Sequence, residues 1–133
     1  MGEVLPAQAR ERPDRTALIA GNRVITYGVL EERAGAAAGA MAGLGVGRGD
    51  RVAVLLGNVP EFVEVLHGAW RLGAAVAPLN VLLAPEELGY VLADADARVV
   101  VAGRAHVPAV LAVRDRLAGL EQILVTGRGP SPR

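Results

Sequence analysis

Along this chain the apolar positions switch between two periods, and each switch marks an element. Residues 4–12 fit a short helix closed by Pro13. Thr16–Ala20 (TALIA) and Arg23–Thr26 (RVIT) flank Gly21-Asn22, a two-residue turn pair that predicts a β-hairpin. Thr26 then stands at an N-cap position and opens a helix to about residue 44, with Leu30, Ala37, Met41 and Leu44 at helical spacing. Glu31, Glu32 and Arg33 cluster near its start, and Gly45 ends it as a C′ residue. In the stretch 34–46 that closes this helix, Gly35, Gly39 and Gly43 form a small-residue run that lets a backbone pack closely against a sheet.

Beyond residue 50 strand and helix alternate. Residues 51–56 (RVAVLL) have the length of a buried strand. Asn58 is the expected cap of a helix over 59–72, whose apolar face is Val59, Phe62, Val63, Leu66, Ala69 and Trp70. Ala75–Pro78 predicts a second strand, and Pro85 opens a helix with Leu88, Val91, Leu92 and Ala95 inward. A strand at 98–102, a helix at 107–117 and a strand at Gln122–Thr126 complete the order. Short, doubly apolar strands between amphipathic helices predict an α/β fold: a mostly parallel sheet with helices on both faces, preceded by the hairpin. Residues 127–133 (GRGPSPR) read as a loop-like tail.

Composition narrows the chemistry. The chain has 133 residues, enough for one domain that buries roughly two thirds of its unfolded surface. It has four aromatics, so its core is aliphatic. With no Cys, disulfides, thiolate metal sites and Cys nucleophiles are excluded. With no Lys, so are Schiff bases and a phosphate-loop lysine, and Ser131 is the single serine. The net charge is zero, divided as 8 Arg against 12 acids over 1–97 and 6 Arg against 2 acids over 98–133. That surplus is too mild and scattered for a nucleic-acid footprint. The apolar stretches at 34–46 and 72–79 fall short of the roughly 20 residues of a membrane span, so no transmembrane segment is expected.

Candidate groups carry weak signals. The glycines of 43–49 (GLGVGRG) follow a helix and precede a strand, the reverse of a dinucleotide loop, and so read as a connecting turn. His67 shares a helix face with Glu64 and Arg71 and reads as a boundary histidine. His106 stands near a helix start without a second ligand at metal spacing. Asp94 and Asp96 end one helix and Glu86 and Glu87 begin it, with no acid–base dyad in view. These residues alone give a soluble α/β domain with no visible catalytic, cofactor-binding or metal site.

Four motifs in order add to this: TYGVL (26–30), GVGRGDRVAVLLGNVPEFV (45–63), RLGAAVAPLN (71–80) and PEELGYVLADADARVVV (85–101). Together they resemble the start of the adenylate-forming (AMP-binding) ligases, the superfamily of acyl-CoA synthetases, luciferases and peptide-synthetase adenylation domains. The resemblance covers about residues 10–126 and leans toward the fatty-acyl-CoA ligase branch. It implies that residues 1–126 are a partial N-terminal domain of the acyl-CoA synthetase-like fold. The matched positions Thr26, Tyr27, Gly49, Asp50, Asn58, Gly73, Pro78 and Asn80 are scaffold positions in that resemblance. Val29 replaces the Glu of the family's first capping box, and Ala84 replaces the usual Thr or Ser cap of a later helix.

The resemblance further implies a parent that joins a fatty acid or other carboxylate to CoA through an acyl-adenylate, using ATP, Mg and CoA, in the cytoplasm. The family's phosphate loop, its adenine and ribose contacts and its C-terminal catalytic Lys match nothing in these residues. The expectation is a chain inactive alone, without cofactors of its own, that self-associates through an exposed sheet edge. The alternatives are a standalone interaction module and the start of a peptide-synthetase adenylation domain.

Overall fold

The computed structural model describes residues 4–57 and 59–126, which divide into two compact units. The first takes the chain up to Arg48 together with residues 59–74, and the second takes Gly49–Gly57 and the chain from Ala75 on.

In the first unit α1 (Val4–Glu11) leads into the antiparallel hairpin of β1 (Thr16–Ala20) and β2 (Arg23–Thr26). Leu18 pairs with Ile25 and Ile19 with Val24, so the two faces of the hairpin alternate. Ile25 is buried with Leu5, Leu30 and Ala34, and Ala17, Leu18, Tyr27 and Val63 pack around them. Thr26 caps α2 (Tyr27–Gly43) as its sequence position predicts: its Oγ1 accepts from the Val29 N–H at 3.3 Å. The cap therefore survives without the Glu that Val29 replaces. Tyr27 adds a tie to the loop before the hairpin, its N–H donating to the Arg15 carbonyl at 2.9 Å.

Two helices end alike. Gly45 has φ +90, its N–H donates to the Ala42 carbonyl, and the Val46 N–H reaches the Met41 carbonyl. Gly73 has φ +76 and repeats the pattern on Trp70 and Ala69 after α3 (Pro60–Arg71). Both are Schellman closures, which need a residue at ease with positive φ. A side chain at Gly73 would also stand 3.3 Å from the Arg48 Cα, which fixes glycine there twice over.

The second unit holds β3 (Arg51–Leu55), β4 (Ala75–Pro78), α4 (Pro85–Ala95), β5 (Val99–Gly103), α5 (Val107–Val113) and β6 (Gln122–Thr126). Its strands form a parallel sheet in the order β4-β3-β5-β6. Ala53, Leu55, Val100 and Ala102 face Leu88 and Leu92 of α4 and Val110 and Val113 of α5. The alternate residues Val52, Val54, Val99 and Val101 are buried as well, the pattern of strands buried on both faces. The fold is thus α/β, a parallel sheet flanked by helices with a small hairpin ahead of it.

Several expectations need correction. The helix expected at 59–72 begins at Pro60, and its N-cap is Val59, which makes no side-chain cap bond. Proline drives the residue before it into extended backbone, here φ −125 and ψ 156 at Val59, so the helix cannot start earlier. Asn58, the expected cap, lies outside the described residues. On α3 the buried positions are Pro60, Val65, Gly68 and Ala69, while Phe62, Val63, Leu66 and Trp70 are half-buried and Val59 is exposed. On α2 it is Ala34 that joins Leu30 and Met41 in the interior, with Ala37 and Leu44 half-buried. One contact underlies both shifts. A Cβ at Gly68 would lie 2.9 Å from the Ala38 nitrogen and 3.0 Å from the Ala34 carbonyl oxygen. The close approach is thus between α3 and α2 at Gly68, whereas Gly39 and Gly43 have nothing within 4 Å of an added Cβ.

On α4 the fully buried residues are Leu88, Gly89 and Leu92, with Val91 and Ala95 half-buried. The helix expected at 107–117 stops at Val113, where the exposed Arg114, Asp115 and Arg116 form a 3₁₀ turn and Leu117 reaches the core from beyond it. The strand expected at 51–56 ends one residue earlier as β3, and the strand expected at 98–102 lies one residue later at both ends as β5. The tail at 127–133 lies outside the described residues.

Candidate functional site

An open parallel sheet offers one default position for a ligand. It is the crevice beyond the carboxyl ends of the strands where the chain reverses its direction of travel across the sheet. From β3 the chain goes to β4 on one side, then returns to β5 on the other, so the switch point lies between β3 and β5. Leu55, Leu56 and Gly57 leave β3 there, and Ala102, Gly103 and the 3₁₀ turn Arg104–His106 leave β5. A Cβ at Gly103 would meet Leu56 Cδ2 at 3.3 Å and His106 Cδ2 at 3.5 Å, so side chains already crowd the glycine. Arg104 is exposed, and Thr126, opposite Gly103 in the register, buries its Oγ1 with no hydrogen-bond partner among the described residues.

This donor set does not fit a nucleotide. ATP needs a run of phosphate-facing N–H groups, a cation aimed at the phosphates and carboxylates for Mg²⁺. Among the described residues no group of three or more His, Asp or Glu could hold a metal ion. The Gly43–Gly49 stretch closes α2 and feeds β3 as the connecting turn its polarity predicts, with Gly49 at φ +85.

At the opposite end of the sheet the charges are structural. Arg98, just ahead of β5, donates from Nη1 to Asp50 Oδ2 and from Nε to Glu121 Oε1, each at 3.0 Å. Asp50 precedes β3 and Glu121 precedes β6, so one guanidinium ties the starts of three neighbouring strands. Hydrogen bonds to Glu121 and then Asp50 hold Arg98 more firmly protonated than a free arginine. The Asp50 carbonyl also receives the Ala75 N–H at 2.8 Å, which starts the β3–β4 ladder. Pro78 ends β4, an edge strand, where a missing N–H is tolerated. Asn80 Oδ1 accepts from the Leu82 N–H at 2.8 Å, an Asx turn that shapes the strand exit. Ala84 caps α4 without an acceptor of its own, while Glu87 Oε1 accepts the Ala84 N–H at 3.0 Å, half of a capping box. Asp96 is the C-cap of α4 in the left-handed conformation, and Asp94 and Glu86 are exposed.

The first unit carries a second ionic cluster between α2 and α3. Arg71 pairs with Glu31, and Arg33 Nη1 lies 3.6 Å from Glu64 Oε2. Burial, then repulsion from Glu61, pushes the Glu64 carboxyl above its ordinary range, and Arg33 offsets part of this. His67 sits half-buried on the same helix, edge-on to Trp70 with ring centroids 5.2 Å apart. Neither cluster resembles a nucleophile with its base or a metal site. They are clamps on secondary structure, and the Arg98 clamp is visible in sequence only as charges placed one residue ahead of strands.

The relatives of the sequence decide what the scaffold belongs to. Residues 5–132 match the family described as AMP-binding enzyme. The chain belongs to the AMP-binding enzyme family. A 3-hydroxybenzoate–CoA ligase of Aromatoleum sp. (strain CIB) is 36% identical over 122 residues, 92% of this chain and 23% of that protein. One of the plipastatin synthase proteins of Bacillus subtilis (strain 168) is 38% identical over 95 residues, 71% of this chain and 4% of that protein. A solved Mycobacterium tuberculosis fatty acyl CoA synthetase superposes with a TM-score of 0.87 and 30% identity, covering 94% of this chain and 26% of that one.

The chain therefore spans about a quarter or less of the length of these relatives. It corresponds to the N-terminal portion of an adenylate-forming acyl-CoA ligase. No helix among the described residues is long and apolar enough to cross a membrane.

Proposed function

We propose that the chain supplies the opening scaffold of the large domain of an ATP-dependent acyl-CoA ligase, with residues up to 126 as that partial domain. In the whole enzyme a carboxylate attacks the α-phosphorus of ATP, giving acyl-adenylate and pyrophosphate. CoA then displaces AMP through its sulfur to give the thioester. The observation that carries this reading is the family match over residues 5–132, joined to a 92% overlap with a CoA ligase. ATP, Mg and CoA belong to that parent reaction, and a cytoplasmic location follows from its need for both ATP and CoA. Thr26, Tyr27, Gly49, Asp50, Asn58, Gly73, Pro78 and Asn80 are its scaffold positions and none is a catalytic residue.

The match to a plipastatin synthase protein favours a second reading, the start of an amino-acid-adenylating domain. The two share the adenylation step and differ in the acid and the acceptor thiol. A chimera tests the scaffold role. Residues 5–126 replace the matched segment of the Aromatoleum 3-hydroxybenzoate–CoA ligase, and thioester formation is followed with 3-hydroxybenzoate. An active chimera is expected, and a folded chimera that makes no thioester refutes the assignment.

The open edges of the sheet give a second expectation for the 133-residue chain. Each of β4 and β6 has one side unpaired among the described residues, and Val125 on β6 is 42% exposed. The chain has no Lys to blunt an edge. Light scattering after size exclusion is expected to show association, or a urea melt stability below the roughly 5–15 kcal/mol of a finished domain. A monodisperse monomer with one sharp transition supports a self-sufficient interaction module instead.

A further inference from the structure

We propose that His67 is a proton-operated latch on the α2–α3 pair: the neutral imidazole lets α3 lie against α2, and the imidazolium loosens it. The geometry rests on three observations within the first unit. His67 Nδ1 is buried and has no hydrogen-bond partner among the described residues. The ring is held edge-on against Trp70, at 79° between planes, one turn from Arg71. Arg71 is engaged across the interface with Glu31, in the segment where Gly68 brings the two backbones into close contact.

A neutral imidazole can leave one ring nitrogen as a bare lone pair at modest cost. The imidazolium carries N–H on both nitrogens, so Nδ1 would become a buried donor with no acceptor. The charged groups acting on His67 are Arg71 of its own helix and Glu31 of α2, while Glu61 of α3, Arg33 of α2 and Arg23 of β2 act on Glu64. Burial disfavours the imidazolium most, Arg71 repels it as a second cation, and Glu31 attracts it. The balance holds His67 below the ordinary histidine range.

The sign of the coupling follows. A histidine that takes its proton less readily folded than unfolded leaves the fold unaffected above its unfolded value and weakens it as pH falls below about 6.5. Glu64 works in the opposite direction. Its raised carboxyl favours the fold when protonated, and that contribution is lost as pH rises through its folded value. The two must be separated experimentally.

Amide exchange of the full chain at pH 7.5 and 5.5, corrected for intrinsic rates, provides the test. The E64Q background removes the opposing carboxyl. Protection in α2 and α3 is expected to fall about three- to tenfold at pH 5.5 while β3 and β5 keep theirs, and H67Q in the same background is expected to lose the difference. Trp70 is the single tryptophan, so its emission follows the same change beside His67. Should a variant fail to fold, NMR titration of His67 in the unmodified chain decides. A midpoint below the ordinary value with loosening of α2–α3 amides supports the latch. Unchanged α2–α3 protection at pH 5.5, or an H67Q chain that keeps the loss, overturns it.

Discussion

Gly68→Val is expected to break the α2–α3 pair and with it the first unit. The atoms nearest an added Cβ are the Ala38 nitrogen at 2.9 Å and the Ala34 carbonyl oxygen at 3.0 Å, both backbone, followed by the Met41 Cε at 3.1 Å. A methionine end can swing aside, but helix backbone cannot move without unseating the whole interface. Overpacking of this kind costs about 1–3 kcal/mol for a small group, and valine adds two methyls and a stiff χ1. A loss of about 3 kcal/mol or more is expected for Gly68→Val. Gly68→Ala should lose about 1 kcal/mol net, after roughly 1 kcal/mol of gained helix propensity is set against the clash.

Gly39→Ala is the internal control. Gly39 is exposed on α2 with nothing within 4 Å of an added Cβ, so alanine should stabilise by up to about 1 kcal/mol. Urea midpoints followed by Trp70 emission compare the three. If Gly68→Ala stabilises as much as Gly39→Ala, the close approach of α2 and α3 is not real.

That contrast also shows what the sequence could reveal. The hairpin was legible because Gly21-Asn22 admits few conformations other than a tight turn. The strands β3 to β6 were legible because short continuous apolar runs between helical patterns have few other uses. Thr26 and Gly45 announced both ends of α2 by cap chemistry alone. The burial phase of α3 was not legible, because hydropathy weights Phe62, Leu66 and Trp70 above Gly68. A glycine contributes nothing to an apolar count, and only the approach of α2 shows why that position must be small. Likewise Pro60 moved the helix start past Asn58, a local steric rule that outranked the better capping side chain. The pairing of Arg71 with Glu31 and of Arg98 with Asp50 and Glu121 joins residues 40, 48 and 23 positions apart, separations that no local pattern encodes.

The candidate site was legible mainly through composition. The missing Lys and Cys and the single Ser already removed the usual nucleophiles and phosphate ligands. At the crevice between β3 and β5 the atoms nearest an added Cβ on Gly103 are those of Leu56 and His106. On the proposed reading the chain's contribution is geometric: a sheet pinned at its strand starts by Arg98, and a capped, closely packed helix pair. Adenylation depends on charge-stabilising groups around the phosphates, each worth about 10²- to 10³-fold in rate. On the proposed reading the 133-residue chain, lacking several of them together, is expected to give turnover below detection.

ATP–pyrophosphate exchange by the 133-residue chain tests this most directly, with a panel of fatty, aryl and amino acids and the active chimera as positive control. The expected result is exchange at background with every acid, while the chimera exchanges with 3-hydroxybenzoate. Exchange above background by the chain alone, with any acid, would contradict the conclusion that these residues carry scaffold and not chemistry.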